Sequence, residues 1–510
     1  MGEATRKTDR AVQETARALR VETPGGRIHV RWDGQSAATP FGQMAFFIEF
    51  LMLTGLYAQW IETCPLPYHG PHRSQISDIL GTWFLSALSG HKRYAHITTL
   101  RADGVLPELL GMTRTVSEDT VRRALSAIED DVGRPWLQAH LDHTAWPLLT
   151  APWILDVDVT VKPLYGHQEG AVLGYNPKKP GRPSHTYHTY QMAGLRLVLG
   201  VDVEAGNQSH ANVSMPGLLK LLDRLPPDKR PRCVRGDCGF GHDAMMVALE
   251  QRRMPYLFKL KLTPNVKRYL NHIFWRDGWQ DAGQGWEGRE GDITLTGWNA
   301  ARRIIALRRP LIGDVLLADD AHQMGLAFVE HDGPAKRYEY AVLVTDLPYD
   351  VPALAQLYRD RADSENTFDE LKNQWGWGGY TTQDLKRSRM AARTVALIYN
   401  WWSVFVRLAN PEARLEAITS RPFLLSGIAH KTLHAGQQHL KITSMHGKGG
   451  QAKAMLTRVS QLLHEWKHIA EQLNPISVWQ QVCQFLAAAV TGFNWLGPPQ
   501  NTNLLTEGTG

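Results

Sequence analysis

The chain has 510 residues, too many for one ordinary domain, and its 43% hydrophobic content is that of a cored, globular protein rather than a disordered one. A net charge of +6 and a pI near 9.0 favour a polyanionic partner. Cys64, Cys233, Cys238 and Cys483 form no CxxC pair, and the first 20 residues lack an apolar core. That pattern argues against a disulfide framework and a secretory signal, and for a reducing, cytoplasmic setting.

Residues 1–25 are polar and charged and are expected to be flexible, while residues 27–33 alternate like a short strand. The apolar stretch Phe41 to Trp60 is interrupted by Gln43, Glu49 and Gln59, so it reads as one buried helix, not a membrane span. Residues 26–149 are expected to be a mainly helical DNA-binding region. In it Ser117 reads as an N-cap, with Thr120, Val121, Ala124, Leu125 and Ile128 on the inner face. Arg122 and Arg123 on that helix fit a helix-turn-helix reader, or equally an ordinary three-helix bundle.

Residues 150–262 carry the first convincing sheet pattern. Trp153 to Thr160 alternates, placing Asp156 and Asp158 on one side of a strand. A carboxylate pair within an apolar strand marks a candidate site. The stretch Tyr165 to Tyr190 follows, where prolines and glycines predict a loop. Lys178, Lys179, Arg182, His185 and His188, interleaved with tyrosines, suit a nucleic-acid backbone with stacked bases. Further on, Arg232 to Arg235 predicts a strand ending at Asp237, before the Gly239 turn. A carboxylate at the C-terminal end of a strand is a usual place for chemistry in an α/β sheet. Cys233 and Cys238 beside it read as packing residues.

Residues 263–345 predict a β-rich insertion, with strands at 292–298, 302–309, 325–331 and 339–346 and tryptophans at 275, 279, 286 and 298. Residues 346–410 then read as a helix from Leu354 to Asn373 and a long helix from Arg387 to Leu408. Residues 411–497 are expected to be helical and 498–510 disordered.

In the helix from Leu354 to Asn373, Tyr358, Arg361, Glu365 and Lys372 fall within an arc of roughly 60°. A carboxylate flanked by cations suits a metal-bound phosphodiester. Asp158 (with Asp156 as its rival), Asp237 and Glu365 are the three candidate metal ligands. Hard oxygen donors without a histidine shell fit Mg²⁺ or Mn²⁺ better than Zn²⁺. Two ions, one on the attacking water and one on the leaving oxygen, suit phosphodiester cleavage.

The Y-x2-R-x3-E-x6-K spacing, with the Asp158-Val159-Thr160 and Asp237-Cys238-Gly239-Phe240 segments, resembles bacterial cut-and-paste DDE insertion-sequence transposases over about residues 70–410. The resemblance implies an α/β fold: an RNase-H-like core interrupted by the insertion, with helical terminal regions. It implies catalysis and metal binding by Asp158, Asp237 and Glu365, and phosphate contacts from Tyr358, Arg361 and Lys372. It further implies binding of double-stranded DNA at transposon ends and in the target, cleavage to a 3′-OH, strand transfer, and a homodimer on DNA. Some such enzymes pass through a hairpin and hold a flipped base on an aromatic, a role open to Trp286 or Trp298. Two alternatives are a glycoside hydrolase with paired acids and an inert DNA-binding relative.

Overall fold

The computed structural model describes residues 19–34, 36–67, 73–150, 152–176, 179–311, 338–443, 447–473 and 477–491. The expectations for residues 1–18 and 498–510, Lys178 and the strand at 325–331 lie outside these.

At the N-terminal side, β1 (Leu19–Thr23) and β2 (Gly26–Val30) pair as a hairpin, where flexibility was expected up to residue 25. A short strand β3 (Ala37–Thr39) follows. The apolar stretch is two helices, α1 (Met44–Thr54) and α2 (Leu56–Glu62), bent by 68°. The cause is Gly55, whose φ of 75° is left-handed and ends α1. Among the described residues no single helix is long and apolar enough to cross a membrane. Next come α3 (Ile76–Leu88), α4 (Glu118–Ala127) and α5 (Asp130–Ala145). Ser117 caps α4 by accepting from the Thr120 N–H at 3.3 Å, and Val121, Ala124, Leu125 and Ile128 are buried.

The centre is a nine-stranded mixed sheet in the order β6-β5-β4-β7-β8-β12-β11-β10-β9. Its first half comprises β4 (Ile154–Pro163), β5 (Ser184–Met192), β6 (Leu197–Ala205), then α6 (Met215–Arg224), β7 (Cys233–Gly236), α7 (Asp243–Glu250) and β8 (Tyr256–Lys259). Strands β4, β5 and β6 are antiparallel neighbours, whereas β7 and β8 run parallel to β4. Its second half follows α8 (Pro264–Ile273): β9 (Gln280–Gly283), β10 (Trp286–Ile293), β11 (Arg302–Pro310) and β12 (Tyr338–Thr345). These strands continue the same sheet, because β12 pairs antiparallel with β8. The open edge of β8 presents unpaired N–H and C=O groups, and β12 satisfies them.

The expected loop from Tyr165 to Tyr190 is a strand from Ser184 onward, with every residue of β5 buried. Several of its polar side chains find internal partners. The rings of His188 and His185 reach the Ser214 hydroxyl at 2.6 Å and the Glu169 carbonyl at 2.8 Å. Both histidines are therefore withdrawn from any surface ligand.

After the sheet come α9 (Val351–Arg359), α10 (Ala362–Asn373) and α11 (Leu385–Ala409). Helix α11 is the main core element, packed on α5 and β6. Much of the tryptophan content lies in this core. Trp60, Trp83, Trp375, Trp401 and Trp402 are among the largest fully buried side chains. Trp401 and Trp402 donate to the Thr144 and Ser420 hydroxyls at 3.1 and 2.9 Å. The C-terminal region, expected to be helical, contains a hairpin. After α12 (Ala417–Leu424), β13 (Ala429–His434) pairs with both β14 (Gln437–Ile442) and β3. Most of this pairing is local, six residues of β13 against β14, and β3 from near the other end of the chain adds three more. Helices α13 (Gly449–Leu473) and α14 (Val478–Thr491) follow.

Candidate active site

Two acids on β4 face the same way but have different partners. Asp156 is buried and accepts from Arg235 Nε at 2.6 Å and Nη2 at 2.8 Å. Arg235 also donates to the Leu357 carbonyl. Asp156 is thus neutralised inside the core by a residue in register with it on the neighbouring strand β7. Sequence reading missed Arg235, although an arginine inside an apolar strand is itself a signal for a buried acid. Asp158 lies at the middle of the strand, with its side chain 15% exposed.

The last residues in register on β4 and β7 are Val157 and Gly236. One step beyond them stand Asp158, still within β4, and Asp237, just past the end of the parallel strand β7. Asp237 holds the turn into α7 by accepting the Gly239 N–H at 2.9 Å. That turn requires small residues. A Cβ on Gly236 would meet the Phe240 ring and Val157 at 3.0 Å, and one on Gly239 would meet the His210 ring at 2.7 Å.

The third acid comes from the helices after the sheet. The expected single helix is two, joined at Asp360 and Arg361. There the Arg361, Asp363 and Ser364 N–H groups bond three residues back, to the carbonyls of Tyr358, Asp360 and Arg361. This tightened turn breaks the 3.6-residue register that put Tyr358 and Lys372 on one stripe. Arg361 is buried, not laid out on a surface. Its Nη2 donates to Asp158 Oδ2 at 2.6 Å and its Nη1 to Glu365 Oε1 at 3.1 Å. Eleven residues on, Lys372 Nζ donates to Thr160 Oγ1 at 2.9 Å. Helix α10 therefore meets β4 at two points.

Electrostatics ties the three acids together. Burial pushes the Asp158 carboxyl up to about 7; Arg361 opposes this, while Asp237 and Glu365 add to it. Burial also raises the Tyr358 hydroxyl, with Arg361 pulling it down and Asp237 and Asp158 pushing it further up. Glu365 remains half-exposed. Arg361 acts as the local counter-ion, and among the described residues no three acidic, histidine or cysteine side chains stand ready to enclose an ion. The donor chemistry nonetheless fits a hard divalent cation: two carboxylates share one guanidinium, which stands in the position of a positive charge.

The remaining candidates lie elsewhere. Lys179 and Arg182 stand over the exposed Tyr165 ring, 5.0 and 4.7 Å from its centroid, and Lys179 also donates to the Tyr165 hydroxyl. Arg122 pairs with Asp119, and Arg123 Nε donates to the Asp119 carbonyl at 3.3 Å. Both sit on α4, which packs on α3 and α11, not on the acidic cluster. Trp286 and Trp298 lie against Arg309 and Arg302 at 4.9 and 5.2 Å. Cys233 is buried, but Cys238 is exposed, so only the former is a packing residue.

A family model described as transposase DDE domain group 1 matches residues 25–460. No curated protein matches. Among solved structures, a piggyBac transposase synaptic complex with hairpin DNA has 11% sequence identity and a TM-score of 0.40, covering 92% of this chain and 89% of that one.

Proposed function

The chain belongs to the transposase DDE domain group 1 family, and from that premise we propose that it cleaves DNA at transposon ends and joins the freed 3′-OH to target DNA. The observation that carries this reading is the single guanidinium of Arg361 bonded to both Asp158 and Glu365, with Asp237 acting on Asp158. Enzymes of this family generally use divalent ions. Here Asp158, Asp237 and Glu365 would hold them, two Mg²⁺ or Mn²⁺ per site. Held there, such ions would supply Lewis-acid polarisation of the scissile phosphate and of the attacking water. The chain's own groups do the rest. Arg361 balances the acids until a phosphodiester arrives, and with Tyr358 and Lys372 it then holds phosphate oxygens at the transposon end. Lys179 and Arg182, beside Tyr165, grip the DNA backbone together with Lys178, and Arg122 and Arg123 hold DNA further out. Joining two ends implies a homodimer on DNA.

The sheet supports an RNase-H-like core: three antiparallel strands β6-β5-β4 followed by two parallel ones, β7 and β8. The deciding experiment is cleavage of a labelled terminal-repeat duplex with Mg²⁺. Asp158→Ala, Asp237→Ala and Glu365→Ala should each abolish cut strands while gel-shift binding persists. Full cleavage by any one of them would remove that residue from the site, and cleavage in EDTA would sink the metal reading.

A further inference from the structure

The eighteen residues from Lys259 to Arg276 hold Lys259, Lys261, Lys267, Arg268 and Arg276 and not one Asp or Glu, in a chain whose totals are nearly balanced at 56 basic to 50 acidic. This excess is placed by structure. Helix α8 buries Val266, Leu270 and Ile273. Its opposite side exposes Arg268 and His272, and Arg276 continues that stripe just past the helix. The spacing of four residues keeps all three on one face. Arg268 donates to Asn265 and Arg276 to the His272 ring, so neither contact sets a carboxylate against the cation. Beside them Trp275 is 75% exposed.

The platform under this face is held by aromatic and hydrogen-bond contacts. Arg308 stacks on Phe274 and Trp279 at 4.9 and 3.9 Å and donates to the Phe274 carbonyl at 2.8 Å. Trp279 donates to the Ile273 carbonyl at 3.4 Å. The face also reaches the acids. A Cβ on Gly241, in the turn after Asp237, would meet the Lys259 carbonyl at 2.7 Å. The cationic track thus begins beside the second acid and runs outward along α8. It leaves the sheet beyond β8, on the other side of β7 from β4 and the Lys179–Arg182 loop.

We propose that the outer face of α8, with Lys261, Arg268, Arg276 and Trp275, is the docking surface for the donor duplex flanking the transposon end. The argument rests on the transposase reading above and on charge complementarity. A scissile phosphate at the acids sends DNA both ways, and the loop cations lie on the β4 side, leaving α8 for the arm beyond the cut. Trp275 offers that arm an apolar surface for sugar and base edges.

The test compares two labelled duplexes: the terminal repeat carrying flanking donor DNA, and the same repeat ending at the scissile bond. For the full-length double variant Arg268→Ala with Arg276→Ala, the salt dependence of binding the flanked duplex should become shallower by about 2 in log–log slope, since each lost phosphate contact removes about 0.9. Binding of the pre-cut end should stay unchanged, which also certifies that the variant is folded. Trp275→Ala should weaken the flanked duplex selectively. An unchanged slope, an equal loss on both duplexes, or a defect confined to joining into target DNA would each overturn the assignment. Wild-type protein that fails to cut the flanked duplex would overturn the transposase reading itself; wild-type cutting with variants that bind normally sinks the surface alone.

Discussion

At the scale of single residues, the two β4 acids show how partners divide similar side chains. Asp156 meets a buried arginine, and Asp158 meets an arginine shared with Glu365. Truncating one member of a buried pair strands the other charge, at roughly 3–5 kcal/mol. Arg361→Ala should therefore destabilise the metal-free protein by about that much. Mn²⁺ should restore part of the loss by taking over as counter-ion, as read by urea denaturation with and without the ion; equal loss in both conditions would argue against ion binding by these acids. Lys162 is a second buried charge. Its ammonium donates to the Gly379 carbonyl, and burial lowers its pKa to about 7. Between about pH 7 and 10 the unfolded chain keeps this proton and the folded chain has released it. Stability should therefore rise with pH across that window. Lys162→Met should flatten the rise and increase the melting temperature at pH 7; an unaltered pH profile would place the titration elsewhere.

At the scale of elements, the sheet edge is managed by a helix. Strand β6 is the outermost strand, and an open edge exposes unpaired backbone groups. The buried amide of Asn400 on α11 acts as a substitute neighbour. It accepts from the Val198 N–H at 2.9 Å and donates to the Val198 carbonyl at 2.8 Å. Asn400→Ala leaves two buried backbone groups without partners, a cost of roughly 2–6 kcal/mol at 1–3 for each. Equilibrium unfolding would read this directly, and a loss below about 1 kcal/mol would show that α11 holds β6 by apolar packing alone. The α9–α10 junction is the other decisive element. Its tightened turn buries Arg361 between two acids, which one continuous helix would have left on a stripe with Tyr358 and Lys372.

For the whole molecule, the testable property is coupling between ion binding and folding. A ligand that binds only the native state stabilises it by RT ln(1 + [L]/Kd), about 2.7 kcal/mol at a hundredfold excess over Kd. Mg²⁺ or Mn²⁺ should raise the melting temperature of the wild type. The rise should vanish when Asp158, Asp237 and Glu365 are all replaced by Ala, and a rise that survives would locate the ions elsewhere. The molecule is otherwise tied together over long sequence distances: β13 joins β3, β12 joins β8, and α11 packs on both α5 and β6.

What sequence alone determined is what neighbours within a few residues decide. The Ser117 cap, the apolar face of α4, the presence of a strand at β4 and the Asp237 turn were all legible, because capping and local strand preference are short-range effects. The choice between Asp156 and Asp158 was not, since it depends on Arg235, 79 residues away, and on Arg361, 203 residues away. The same holds for β5, read as part of a loop because prolines, glycines and basic residues precede it although all nine of its residues are buried, and for the pairing of β13 with the remote β3. Burial, charge pairing and sheet edges are settled by which remote segments meet, and only the folded chain brings those segments together.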